Sequence, residues 1–410
     1  MKKFILLFIL STVLIAQEWV VKHEDEQCRL TSVHFTDKNN GMAVGWNKTL
    51  ITHDGGETWL EIDTMNIFVW TKVSGPPKSN IIYGCGPNGK IGKYQNNVFT
   101  EFNSVTTKTL SGISFPTVNT GYVVGEEGTL FKTTDGGTSW VPIPSGTSEW
   151  LNNVVAHDTD AVVIIGDNGL VRQTIDGGNS FVTIDVPGIN SYLGDVAFVG
   201  PNNFWVCGSE GTLFNVAPNG NSIINTGNND GIMGLTIPVP NYGVGVGDNG
   251  AIFQFDGTNW ICQNSPTTAW LEDVASHPDS DSGKGNITYH FWAVGDKGTI
   301  LKKTVSIVNV AKDYTPNTFS VSNNYPNPFN PSTKFNYSVP FLSHVYIELY
   351  NMLGEKVSII KNELNDIGKY NISIDGNNMS SGLYFVKFHF RPKNEDIKGY
   401  ATIKKILLVK

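Results

Sequence analysis

The chain has 410 residues, with 43 glycines, 19 prolines, 11% aromatic residues and only 16% charged ones. That length allows two or three domains, and the composition suits a turn-dense all-β protein more than a helical or disordered chain. Residues 17–308 carry 15 Lys and Arg against 29 Asp and Glu, a net of −14, whereas residues 319–410 carry 11 against 7, a net of +4; so acidic a body is a poor partner for nucleic acid or an anionic membrane.

Met1-Lys2-Lys3 and the apolar run over residues 4–16 form a charged start and a short hydrophobic stretch. This is the pattern of a secretory signal peptide, too short for a membrane span, with cleavage expected between Ala16 and Gln17. Export would permit disulfides among Cys28, Cys85, Cys207 and Cys262. Cys85 and Cys207, however, hold the same position in distant repeats, so buried free thiols are expected.

Those repeats fill residues 17–308. The turn glycines Gly45, Gly86, Gly125, Gly166, Gly208, Gly247 and Gly295 recur at spacings of 41, 39, 41, 42, 39 and 48 residues. An insertion over residues 279–286 lengthens the last interval. Each unit opens on an apolar alternation such as Leu110-x-x-Ile113-x-Phe115 or Leu151-x-x-Val154. A second strand runs into the turn glycine, Gly-x-x-Gly leads to a third, and Asp-Gly-Gly turns the chain into a fourth beginning with Trp. Lys48 replaces the second turn glycine in the first unit, so that turn is expected to differ. Four strands every 40 residues or so, seven times, predict a seven-bladed β-propeller. The seventh unit lacks its last strand. Gln17-Glu18-Trp19-Val20-Val21 resembles Ser139-Trp140-Val141-Pro142-Ile143 and is expected to supply it, closing the ring.

The turn before the fourth strand carries a motif: Asp54, Gly56 and Trp59; Asp135, Gly137 and Trp140; Asp176 and Gly178, followed by Phe181. A decayed copy lies at Asp256-Gly257. The motif resembles the Asp-box hairpin of sialidase-type propellers, and its expected role is structural: the carboxylate accepts backbone N–H groups, Gly takes the unusual dihedral and Trp packs beneath. With the Ala-Val-Gly-x-x-Gly-Thr-Leu signature, the body resembles the photosystem II stability/assembly-factor-like propellers. That resemblance implies the fold. The arginine-rich patch associated with those assembly factors is absent, since the body holds only Arg29 and Arg172, so the photosystem role is not carried over.

Residues 309–319 read as a linker. Residues 320–410 begin with Tyr325-Pro326-Asn327-Pro328-Phe329-Asn330-Pro331 and continue as alternating segments near residues 334–339, 345–350, 370–374, 383–388 and 403–409. The pattern predicts a small Ig-like antiparallel β-sandwich. Together with Leu349-Tyr350-Asn351-x-Leu353-Gly354, Ser381-Gly382-Leu383-Tyr384 and Lys404-Lys405-Ile406-Leu407-Leu408-Val409, it resembles the type A sorting domain of the type IX secretion system. The resemblance implies an outer-membrane export address that engages the secretion machinery and is removed as the passenger is released or attached to the cell surface.

Chemistry is hard to place on the body. A sialidase needs three arginines around the substrate carboxylate, and the whole chain has Arg29, Arg172 and Arg391, the last in the sorting module. The histidines have no ligand spacing, so neither a metal nor a cofactor is indicated. No Gly-rich phosphate loop joins a strand to a helix. A glycoside hydrolase using two carboxylates is the alternative, but no pair is marked out. One face does stand out. The second-to-third-strand turns and the blade-to-blade connections share it. The turns place Glu126, Glu127, Asp167, Glu210, Asp248 and Asp296 there; the connections place Trp150, Tyr192 and Trp270, with Arg29 in the same slot of blade one. The expectation is a non-enzymatic binding protein that holds a surface protein or a glycan at this mouth, exported by the type IX route.

Overall fold

The structure is a computed structural model that describes residues 18–46, 48–62, 70–200, 202–217, 220–224, 226–227, 229–279, 286–308, 319–340, 342–365, 368–393 and 399–410. The expected leader, residues 309–318 of the expected linker and residues 280–285 of the insertion lie outside that set. The chain divides after Val308 into two compact units.

The first unit is built from seven four-stranded antiparallel sheets. Their inner strands, numbered here as blades one to seven, are Arg29–Phe35, Lys72–Ser74, Leu110–Ser114, Leu151–Ala156, Leu193–Gly200, Ile232–Val239 and Leu271–Pro278. Strand Val20–His23 pairs antiparallel with Ile300–Val308, with Val20 opposite Lys302, and so forms the outer strand of blade seven. This is the place expected for it. Trp19 is buried beside it, with the Lys303 ammonium 5.8 Å from its ring centre.

Blades are riveted to one another by aromatic rings. Trp292 of blade seven stacks on Phe35 of blade one at 3.4 Å between centroids, and its Nε1 donates to the Gly55 carbonyl at 2.9 Å. Tyr83 of blade two stacks on Phe115 of blade three at 3.5 Å and donates its hydroxyl to Gly136 at 3.3 Å. Tyr122 of blade three donates to Gly177 of blade four at 3.3 Å. Gly55, Gly136 and Gly177 are the same turn residue of three successive copies of the motif. Each aromatic therefore buries its ring between blades while its polar end satisfies the neighbour's hairpin; burial alone contributes about 1.5–3 kcal/mol per large side chain.

The hairpins themselves are local devices. Asp135 accepts from the Ser139 backbone N–H at 2.9 Å and the Ser139 hydroxyl at 2.6 Å, while Thr133 Oγ1 accepts from Gly137 N at 2.9 Å. Asp54 and Asp176 repeat the arrangement with Thr58 and Ser180. These donors, the side-chain hydroxyl first, hold the Asp135 and Asp176 carboxyls down at about 2. Trp59 and Trp140 then pack edge-on against Phe35 and Phe115, 5.9 Å between centroids in both cases. The fourth strands are shorter than expected and start one residue after the aromatic: Leu60–Glu61, Val141–Pro142 and Val182–Thr183. The large ring turns inward, and only the two residues beyond it reach the ladder. Cys28, Cys85 and Cys207 are buried free thiols, whereas Cys262 is free and exposed on the outer strand Trp260–Gln263 of blade six, which corrects the expectation for that residue.

The second unit has a three-stranded sheet, ordered Ser320–Val321, Ser332–Val339, Gly368–Asp375, and a four-stranded sheet, ordered Lys356–Asn365, Ser343–Tyr350, Gly382–Pro392, Tyr400–Leu408. Phe335, Tyr337, Val345, Ile347, Val386, Phe388 and Ile406 fill its core. Strand Lys356–Asn365 was not legible in the sequence. It is an edge strand, mostly exposed, and so carries no clean apolar alternation.

Candidate functional site

The site is built by a fault repeated in the inner strands. In blades one, three, four, five, six and seven the pairing register slips within the first residues of the inner strand, for instance between Leu151 and Asn153 and between Leu271 and Asp273. Such a bulge sets two residues against one and re-aims side chains. The apolar residues of Leu-x-x-Val stay in the blade; the first residue between them lines the channel, while the second, as at Ser32, Asp195 and Asp273, is buried behind it. All seven blades contribute residues to a cavity of about 500 Å³.

The turn above each bulge is held by one recurring contact. The backbone N–H of Asp167 donates to the Trp150 carbonyl at 3.1 Å, Ser209 to Tyr192 at 2.9 Å and Asp296 to Trp270 at 2.8 Å. The chain approaches so closely there that a Cβ on Gly166 would lie 2.3 Å from the Trp150 oxygen, and one on Gly295 1.8 Å from that of Trp270. Glycine is required by this approach, and the approach fixes each aromatic beside its turn.

Trp150 and Tyr192 line the cavity, and their side chains are open to solvent, 40% and 46% exposed. Trp270 is 47% exposed but is not among the residues lining that cavity. Of the acidic candidates, Asp167 lines it, accepting from Asn152 Nδ2 at 3.0 Å. Glu126 accepts from the Thr109 N–H, Asp248 from the Gly231 N–H, both at 3.1 Å, and Glu127 pairs with Lys108 at 2.7 Å. Glu210 sits in its turn with φ 58°. Arg29 and Asp296, 3.1 Å apart, lie in an adjoining recess of about 450 Å³.

Several residues here escaped the sequence reading. Trp46, 64% exposed, borders both the cavity and the recess. It occupies the turn position that is acidic in blades three, four, six and seven, in the one turn that departs from Gly-x-x-Gly. Lys72, Asp195, Glu272 and Asp273 occupy the x positions of Leu-x-x-Val, or of its counterpart in blade two. That spacing was the available signal. Asp273 accepts from Ser32 Oγ at 2.7 Å and Val33 N at 3.0 Å, linking blade seven to blade one, and lies 3.3 Å from the Lys72 ammonium. Asp195 accepts from Asn153 Nδ2 at 2.9 Å and Leu235 N at 2.9 Å, linking blades four, five and six. Burial first, then Asp273, push the Asp195 carboxyl up to about 6 against the pull of Lys72. Burial opposes the charge on Lys72, but Asp273 and Asp195 outweigh it and raise its pKa. Glu272 is raised by burial, against the pull of Arg29, whose Nη2 reaches it at 2.5 Å. Among the described residues no group of three or more His, Cys, Asp or Glu is placed to hold a metal ion.

Two separate stretches of the chain match known family models. Residues 93–189 match the family model of the photosynthesis system II assembly factor YCF48. Residues 323–400 match that of the secretion system C-terminal sorting domain. Among solved structures, the chain resembles one described as YCF48 bound to D1 peptide, at 15% identity and TM-score 0.57, covering 69% of this chain and 94% of that one. It resembles YCF48 from Cyanidioschyzon merolae at 15% identity and TM-score 0.56, covering 69% and 98%, and the RRP9 WD40 repeats at 9% identity and TM-score 0.58, covering 71% and 99%. At such identities the likeness establishes the propeller fold alone. No curated protein matches. The sorting domain supports export by the type IX route to the outer membrane or cell surface.

Proposed function

We propose that the chain is an exported, non-enzymatic binding protein, which presents the bulge-lined mouth of its propeller to a surface protein or glycan. Its sorting domain engages the secretion machinery and directs it to release or to surface attachment. The observation that carries this reading is the pair of solvent-open rings, Trp150 and Tyr192, on the wall of a cavity to which every blade contributes. Large amphipathic rings held open at a concave site are the usual anchors of recognition. The deepest carboxylates are already engaged by backbone and side-chain donors of neighbouring blades, a structural duty that disfavours a hydrolytic pair. Arg172, likewise, donates to the Ser145 and Phe181 carbonyls.

The experiment is affinity capture from envelope and medium with the mature chain, beside its Trp150→Ala and Tyr192→Ala variants, with retained glycans assayed for turnover. A partner held by the parent chain and released by both folded variants fits the proposal. Turnover of a retained glycan, lost on neutralising one carboxylate, would replace it with the hydrolase reading.

A further inference from the structure

The chemistry of the mouth narrows the ligand, on the assumption that the mouth is the binding site. Lys72 of its lining lies 3.3 Å from the Asp273 carboxylate buried behind it, and the buried Asp195 carboxylate is tied to Asn153 of the lining at 2.9 Å. One negative charge is left over when both carboxylates are ionised. Glu272 of the lining is matched by Arg29 of the adjoining recess, but Arg29 also serves Asp296 there, so that group too carries one carboxylate in excess. Asp167 adds another on the wall, where its partner is the neutral Asn152 amide. Three aromatic rings, Trp46, Trp150 and Tyr192, stand around this acidic interior. Electron-rich ring faces and excess carboxylates in one concave site favour the same guest, a cation with an apolar stem.

We infer that the mouth takes a lysine or arginine side chain presented by an extended segment of a partner protein. The size of the site argues for a segment over a lone amine. At about 500 Å³ the cavity falls in the range of roughly 300–1,000 Å³ typical of small-ligand clefts. That is far more room than an ammonium group fills, and enough for a long side chain with backbone on either side. A neutral sugar would gain stacking from the rings but nothing from the surplus charge. An acidic segment would be repelled by it.

The test is a tryptophan-fluorescence and calorimetric titration of the full mature chain. The probes are short Gly/Ser peptides centred on Lys, Arg or Glu, together with spermidine and an N-acetylglucosamine oligomer. The expected result is saturable binding of the Lys or Arg peptide, weakened by salt and absent for the Glu peptide. Binding should fall about tenfold in Trp150→Ala, the scale of a desolvated cation–π contact. It should also fall in Asp167→Asn, which keeps the shape and the acceptor for Asn152 and so remains informative if the Trp variant misfolds. Equal binding of the Glu peptide, or of spermidine as tightly as the peptide, overturns the inference. So does binding of the sugar alone, or of no probe, although either leaves the proposed function standing if the captured partner is still lost from Trp150→Ala. Capture indifferent to Trp150 and Tyr192 removes both.

Discussion

At the scale of single residues, the hairpin carboxylates set an acid limit on the fold. Asp135 and Asp176 have an ordinary value of 3.8 and are held at about 2 by hydroxyl and backbone donors. A carboxyl whose folded-state value is depressed stabilises the protein above its unfolded value and loses that contribution as pH falls through the folded one. The stabilisation is therefore complete above pH 3.8 and lost progressively down to about pH 2. Asp195, raised to about 6, runs the other way: its proton is held more tightly in the folded state, so its contribution declines as pH rises from 3.8 to about 6. Thermal melts across pH 2–4 should fall steeply for the parent and less steeply for the Asp135→Asn, Asp176→Asn double variant. Parallel profiles would show that the motif does not carry the acid sensitivity.

At the scale of elements, the ring closes through a strand taken from the far end of the repeat array. Val20–His23 covers an edge that Ile300–Val308 would otherwise expose, and Trp19 anchors it among the buried rings of blade seven. Trp19→Ala should cost about 3–5 kcal/mol, as for other buried aromatic truncations. Urea unfolding reads the loss, and a midpoint unchanged from the parent would mean that the strand is dispensable. The same element displays what was legible beforehand. Period, turn glycines and a missing last strand located every blade and its closing partner. The bulge was not legible, because a slipped register leaves the apolar spacing Leu-x-x-Val intact while turning the first intervening residue to the channel wall and the second into the inter-blade packing. Trp46 was hidden for a related reason: it stands in an atypical turn, at a position that is acidic in four other blades. The edge strand Lys356–Asn365 was missed because exposure on both sides erases alternation.

At the scale of the molecule, two compact units carry two tasks. The sorting unit has its own core and its own family match over residues 323–400, independent of the propeller. Deleting residues 320–410 should leave the propeller folded and trapped in the periplasm, because its address is gone while the expected leader is untouched. Fractionation and immunoblotting check this, and normal appearance of the truncated body outside the cell would contradict it. The task proposed for the propeller is recognition at the mouth of its channel. The most direct measurement is the calorimetric affinity of the captured partner for the parent chain and for Trp150→Ala and Tyr192→Ala, with melting temperatures recorded alongside. The account predicts a loss of about 1–3 kcal/mol in each variant, the scale of an aromatic hot spot, with melting unchanged. Equal affinity in all three proteins would place the binding surface elsewhere and contradict the central claim.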